Sequence, residues 1–146
     1  SELFTSLQEG MKINVMMFDN GGFGCIDNIQ RSQGVPKFGC EFKYRNLKTG
    51  RLDESGKSVP LDYAKIAEGY GCKVWRATNS DELKQAIEEA KQSPVSTLID
   101  IKVDFDSMSG DYESWWRVGT PEVSKKPAVE KASKDVEKHA DSARKY

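Results

Sequence analysis

The sequence predicts an α/β fold: a three-layer parallel sheet with helices on both faces. Apolar segments rich in β-branched residues alternate with segments of helical spacing, in the order helix, strand, helix, strand, helix, strand. Strands separated by helices of this length favour parallel pairing, because the crossover helix returns the chain to the same end of the sheet. The chain has 146 residues, the size of one domain.

The first two elements are a short helix and a strand. Leu3, Phe4 and Leu7 share one helical face, and Gly10 is positioned to end that helix. Residues 13–18 are apolar on both faces apart from Asn14, which predicts a central strand covered on both sides. A glycine-rich turn follows at once.

A short helix and a long polar segment follow the turn. The pattern predicts a helix over residues 25–33, with Ile26 and Ile29 facing inward. Residues 35–60 are too long for an ordinary connection, so we expect either a functional excursion or a mobile loop. Aromatic and charged residues alternate at 42–44, which indicates a small hairpin within it.

Regular structure returns in the second half of the chain. Helical spacing over residues 62–71 is followed by a strand over residues 73–77. Ser80 is the expected N-cap of a helix over residues 81–92. Residues 95–103 are rich in β-branched residues and complete the predicted sheet.

The C-terminal part is irregular and then highly charged. Trp115, Trp116 and Arg117 form a segment without clear period, which either covers the sheet or forms a lid that excludes water. Residues 125–146 carry only a thin apolar stripe, so we expect a weak helix there. We therefore divide the chain into a domain at residues 1–124 and a charged tail.

Composition excludes several classes of function. The net charge is −1 with both signs interleaved, and no apolar run approaches about 20 residues, so we expect neither a nucleic-acid nor a membrane partner. Three widely spaced cysteines favour a reducing cytoplasm over a disulfide framework. The only histidine, His139, lies in the tail, which excludes histidine-clustered metal sites and Ser/His or Cys/His nucleophilic pairs in the domain.

The glycine-rich turn is the candidate ligand site. It follows the first strand, and ligands of open α/β sheets gather at the carboxyl ends of strands. The turn matches neither a Walker A loop nor a dinucleotide-binding fingerprint. It offers the amide oxygen of Asn20 and a close backbone approach at Gly22, donors that suit Mg²⁺ shared with a diphosphate.

This strand and turn, with Asp19-Asn20-Gly21-Gly22-Phe23-Gly24, resemble the second half of the motif of thiamine diphosphate-dependent enzymes. That motif opens with Gly-Asp-Gly and closes at Asn-Asn. The resemblance implies thiamine diphosphate and Mg²⁺ as cofactors, with Asn20 and the Gly22 carbonyl as metal ligands and Asn20, Gly21, Gly22 and Phe23 as cofactor-binding residues. Asp19 replaces the first Asn of the pair. The Gly-Asp-Gly half is absent, so we expect a fragment that lacks the anionic metal ligand.

A narrower resemblance is to the hydrolases of bacterial inositol catabolism, carried by residues 19–27, Tyr44-Arg45 and residues 115–119. It implies that the cofactor attacks a carbonyl of a small cyclic dione and that water assists ring opening. It also implies a glutamate from an absent N-terminal domain, usually of a neighbouring subunit, and hence a homo-oligomer. Asp27 and Asn28 are candidates for contact with the substrate, or else serve as a helix cap or a solvated face.

Two alternatives stay open. One is another thiamine diphosphate enzyme, similar to acetolactate synthase. The other is a non-catalytic α/β module that binds a protein through its aromatic segment and charged tail.

Overall fold

The computed structural model describes residues 2–52, 56–107 and 118–143. Trp115, Trp116 and Arg117 lie outside these described residues. The chain divides into two compact units: residues 1–20 with 60–105, and residues 21–59 with 106–146. The elements are α1 (Glu2–Gln8), β1 (Asn14–Asp19), α2 (Gly24–Ser32), α3 (Tyr63–Gly69), β2 (Lys73–Ala77), α4 (Ser80–Gln92), β3 (Thr97–Lys102) and α5 (Pro127–Ser142).

The first unit is a three-layer α/β structure, as the sequence predicts. Its three strands are all parallel, in the order β1-β3-β2. On one face, Leu98 of β3 packs with buried residues of α3 and with the apolar side of α1. On the other face, Ile99 and Ile101 pack against Ala86 and Ala90 of α4. Helices therefore cover both faces of the sheet.

The prediction that the first strand is central and covered on both sides is wrong. Strand β3 is the central one, and every residue from Thr97 to Ile101 is buried. Strand β1 lies at the edge of this sheet, where Met16 is 47% and Phe18 is 62% exposed. The physical reason is the position of α4, which packs on β2 and β3 and leaves this side of β1 uncovered. The sequence of an apolar strand does not show which other strands and helices pack beside it.

The start of α4 also differs from the prediction. Asn79, not Ser80, is the N-cap: its side chain accepts hydrogen bonds from the backbone N–H groups of Asp81 and Glu82. Ser80 is the first helical residue. Asn and Ser are comparable caps, so the one-residue choice depends on which residue has extended backbone angles, and Asn79 has them.

The second unit contains α2, the long polar segment and α5. The segment folds as the small hairpin that the sequence indicates, with antiparallel pairing of Lys43 with Ser58 and of Asn46 with Arg51. In α2 the prediction for Ile26 is wrong, because Ile26 is 52% exposed whereas the neighbouring Asp27 is buried. The helix turns a carboxylate, rather than an apolar side chain, toward the interior.

The charged tail contains a helix, in the segment where the sequence predicts one. Helix α5 has 16 residues and begins with Pro127, whose missing N–H is unneeded in the first turn. Val129 and Ala132 are buried within the second unit. Among the described residues, no helix has both the length and the apolar character needed to cross a membrane.

Candidate functional site

The carboxyl ends of β1 and β3 lie side by side in the first unit. Because the strands are parallel and in register, Asp19, the last residue of β1, is opposite Lys102, the last residue of β3. The pairing continues one step further, where the N–H of Val103 donates to the carbonyl of Asp19 at 3.0 Å. The neighbouring strand therefore fixes the backbone of the residue directly before Asn20.

Lys102 joins two carboxylates at this edge of the sheet. Its Nζ donates to Oδ2 of Asp19 and lies 3.1 Å from Oδ2 of Asp100. Asp100 is 1% exposed, and its Oδ1 has no hydrogen-bond partner among the described residues. Burial lowers the pKa of Lys102, but its hydrogen bonds to Asp19 and Asp100 outweigh that effect, so the pKa lies above its usual value. Lys102 therefore carries a full charge at neutral pH.

A second ion pair lies where β2 ends. Nη2 of Arg76 is 2.8 Å from Oδ1 and 3.0 Å from Oδ2 of Asp62, the N-cap of α3. The backbone N–H of Lys65 and the Arg76 guanidinium hold the pKa of Asp62 below its usual value. The cations at the ends of β2 and β3 are thus both committed to carboxylates of the same unit.

The glycine turn itself is held by the polar segment of the second unit. Gly21 has a φ of +71°, a left-handed conformation that favours glycine. Its carbonyl accepts from the N–H of Phe42 at 2.7 Å, and the N–H of Phe23 donates to the carbonyl of Cys40 at 2.7 Å. The rings of Phe23 and Phe42 also meet edge to face, with centroids 5.2 Å apart. The polar segment around Cys40 and Phe42 therefore fixes the conformation of the glycine turn.

Asp27 is placed in the interior of the second unit. Its side chain has no exposed surface, and Oδ2 lies 2.8 Å from Nε of Arg31, an ion pair whose geometry falls outside that of a hydrogen bond. Beside it is a cavity of about 10 Å³, lined by Asp27, Lys37, Phe38, Gly39, Glu41, Lys43 and Leu52. That volume suits about one water molecule and is far too small for a cyclic dione. Asn28 is only half-buried.

Sequence reasoning missed the charged residues that surround these positions. Asp100 and Lys102 lie within the predicted strand at residues 95–103, where a charge within a buried strand signals a partner. The in-register opposition of Asp19 and Lys102 needs the strand order, which no single strand sequence contains. The ion pair of Arg31 with Asp27 was also not predicted, although the spacing of four residues places both side chains on one helical face.

The donor chemistry at the turn fits one part of a metal site. Among residues 2–52, 56–107 and 118–143, no group of three or more His, Cys, Asp or Glu side chains is arranged to hold a metal. Asp19 is paired with Lys102. The amide oxygen of Asn20 and the backbone carbonyl of Gly22 are neutral oxygen donors of the kind that Mg²⁺ accepts beside carboxylates and phosphates. These residues fit the neutral part of a shared site.

Relatives of this chain are much longer proteins. A 3D-(3,5/4)-trihydroxycyclohexane-1,2-dione hydrolase of Clostridium botulinum (strain Alaska E43 / Type E3) is 53% identical over 146 residues, which is 100% of this chain and 22% of that protein. A hydrolase of the same name from Geobacillus thermodenitrificans (strain NG80-2) is 50% identical with the same coverage. The chain thus spans 22% of the length of these relatives.

The fold agrees with a solved structure and with a family model. The thiamine diphosphate-dependent 4-hydroxybenzoylformate decarboxylase of Rhodococcus jostii RHA1 superposes with a TM-score of 0.52, at 20% identity, over 72% of this chain and 17% of that one. The family model described as "Thiamine pyrophosphate enzyme, C-terminal TPP binding domain" matches residues 1–101. Because that match covers most of the chain and includes β1, β2 and all of β3 except Lys102, the chain belongs to the thiamine pyrophosphate enzymes, as part of their C-terminal cofactor-binding domain.

Proposed function

We propose that this chain is the thiamine diphosphate- and Mg²⁺-binding part of a hydrolase that opens the ring of 3D-(3,5/4)-trihydroxycyclohexane-1,2-dione to 5-deoxy-glucuronate in myo-inositol degradation. One observation carries the proposal. The identity of 50 to 53% to hydrolases of that name extends over all 146 residues, well beyond the residues 1–101 that the general family model matches. The similarity therefore includes segments that are not common to the whole family.

The proposed enzyme is larger than this chain. We assign residues 1–124 to a partial thiamine diphosphate and Mg²⁺ domain and residues 125–146 to a charged tail. The remaining length of the relatives supplies the other parts of the active site, among them the glutamate that activates the cofactor and the contacts to the dione. In this proposal a second subunit completes the site, and the homo-oligomer works in the cytoplasm.

The cofactor site is assigned to the turn after β1. The amide oxygen of Asn20 and the carbonyl of Gly22 would hold Mg²⁺, and Asn20, Gly21, Gly22 and Phe23 would bind the cofactor. Bound thiamine diphosphate supplies the nucleophilic carbon and the electron sink for cleavage beside a carbonyl. This chain would orient the metal through two neutral oxygens, and the anionic metal ligand comes from the other parts of the proposed enzyme. Support comes from the position of Asn20 at the carboxyl end of a parallel strand.

Cofactor binding tests this assignment. In the full-length protein, Asn20→Ala removes one metal ligand, and we expect Mg²⁺-dependent affinity for thiamine diphosphate to fall at least about tenfold, measured by calorimetry. Asn14→Ala is the matched control, because Asn14 lies at the opposite end of the same strand, where its Oδ1 accepts from Thr97. Affinity should stay within about twofold in that variant, since no metal ligand changes. Unchanged affinity in Asn20→Ala would remove the metal role.

A second experiment separates the enzyme from a non-catalytic module. The 146-residue chain alone should bind thiamine diphosphate weakly or not at all, because only neutral oxygens face the cation. Combining it with the remaining part of the protein should restore hydrolysis of the cyclic dione. Association without activity would favour the module, and formation of acetolactate from pyruvate would favour an acetolactate synthase-like enzyme.

A further inference from the structure

Lys102 lies beside the residue that precedes the proposed metal ligand. We propose that Lys102 is a positioning residue for the cofactor site: it neutralises Asp19 and Asp100 and thereby holds the chain at Asn20 in the geometry that a magnesium diphosphate requires. The inference rests on the proposed function and deepens it, since it concerns the same edge of the sheet.

The first argument is the charge balance at this edge. Asp100 is 1% exposed and the side chain of Asp19 is 10% exposed, so both carboxylates are largely withdrawn from water. A buried carboxylate without a cation is costly, and Lys102 contacts both. Without Lys102, the carboxylate of Asp19 would add a negative charge beside an anionic diphosphate and repel it. Pairing with Lys102 offsets the charge of Asp19 directly before the proposed metal ligand.

The second argument is geometric. The backbones of Asp19 and Lys102 are paired in register, and the N–H of Val103 extends the pairing past the end of β1. The side-chain contact adds a second connection between the same two residues. The backbone hydrogen bond from Val103 and the side-chain contact from Lys102 both hold Asp19. Together they fix the direction in which the chain leaves the sheet at Asn20. Orientation of a metal ligand by its neighbours commonly changes metal affinity.

The test uses the full-length protein, with thiamine diphosphate titrated at constant Mg²⁺ in a calorimeter. Lys102→Met keeps the length of the side chain and removes its charge, and we expect the dissociation constant to rise at least about tenfold. Lys102→Arg restores the charge and should stay within about threefold of the wild type. Lys91→Met is the matched control, since Lys91 is an exposed lysine paired with Glu88 on α4; its effect should be below about twofold.

A double variant distinguishes positioning from general stability. Asp19→Asn removes the carboxylate that Lys102 neutralises, so Asp19→Asn with Lys102→Met should bind the cofactor at least about threefold more tightly than Lys102→Met alone. The thermal midpoint of each cofactor-free variant is measured in parallel. A lower midpoint with an unchanged dissociation constant in Lys102→Met would assign Lys102 to folding alone and overturn the proposal.

The remaining outcomes are also decisive. If Lys102→Met fails to fold, Lys102→Gln carries the test: it removes the charge but keeps a polar group beside Asp19 and Asp100, and the dissociation constant should rise at least about threefold, whereas an unchanged or lower constant would overturn the proposal. A wild-type protein that binds no thiamine diphosphate would contradict the proposed function itself. Wild-type binding with no response to Lys102→Met would contradict only the role of Lys102.

Discussion

Asp27 and Arg31 form an ion pair on successive turns of α2, with 2.8 Å between Oδ2 of Asp27 and Nε of Arg31. Asp27 has no exposed side-chain surface, whereas Arg31 is 37% exposed. Arg31 also binds Asp106 at 3.0 Å, and Asp106 in turn binds Lys37. The buried carboxylate of Asp27 therefore belongs to a network of charged side chains. Through Arg31, this network connects α2 with Asp106 and Lys37 of the second unit.

Removing Arg31 should destabilise the protein. Arg31→Met leaves the buried charge of Asp27 uncompensated, and we expect the free energy of unfolding to fall by about 3 kcal/mol. Asp27→Asn removes the charge together with the pair and should cost less. Lys84→Met is the control, because Lys84 pairs with Asp81 on the surface of α4 and should contribute below about 1 kcal/mol. Urea denaturation followed by circular dichroism measures all three, and equal losses for Arg31→Met and Lys84→Met would contradict the interpretation.

The N-cap of α4 gives a second prediction. Asn79→Ala removes an acceptor for two backbone N–H groups and should lower the free energy of unfolding by about 1 kcal/mol. Ser80→Ala changes a residue that is already helical, so its effect should stay within about 0.5 kcal/mol. Thermal unfolding of the two variants compares them directly. A larger loss of unfolding free energy for Ser80→Ala than for Asn79→Ala would show that Ser80 is the N-cap, as the sequence predicts.

The lowered pKa of Asp62 predicts that the stability of the protein depends on pH in the acidic range. Its pKa is held below the ordinary value of 3.8, first by the N–H of Lys65 and then by Arg76. A carboxyl whose pKa is lowered by folding contributes stability above its unfolded pKa and loses it as the pH falls through the folded pKa. Asp62→Asn should therefore be less stable than the wild type at neutral pH, and this difference should shrink below about pH 4.

The control for this prediction keeps the helix cap. Asn still offers an acceptor to the N–H of Lys65, so Asp62→Asn tests the charge and not the cap. Arg76→Met removes the partner and should reduce the same acid dependence. Thermal midpoints of the three proteins, measured from neutral pH to about pH 3, provide the comparison. Parallel curves for wild type and Asp62→Asn would show that this carboxyl makes no contribution.

The three cysteines should react at different rates. Cys25 is exposed, whereas Cys40 and Cys72 are buried. Burial raises the pKa of both buried thiols, which lowers the fraction of reactive thiolate. Alkylation of the native protein at about pH 7.5 should label Cys25 at least about tenfold faster than the other two, as followed by peptide mass spectrometry. Labelling in denaturant is the control, because the three rates should then converge.

Local patterns predicted most of the elements. Strand β2 has the predicted bounds, and α4 begins one residue earlier than predicted, because periodicity and turn residues are properties of neighbouring positions. Ile26 shows the limit of such reasoning. Its apolar side chain favours burial, yet α2 buries Asp27 because Arg31 and the surrounding segment supply a compensated interior site. The ion pair is local to α2, but the burial of Asp27 depends on residues outside the helix, such as Phe38 and Leu52 beside it.

The sequence by itself determined the parallel α/β class, the glycine turn at the end of β1 and the family resemblance, since each depends on residues close together in the chain. Only the tertiary structure decided which strand is central, which residue caps α4 and which cation faces Asp19. The physical reason is that strand order and register bring Lys102 opposite Asp19 across 83 positions of sequence. The pattern of either strand alone contains no information about that opposition.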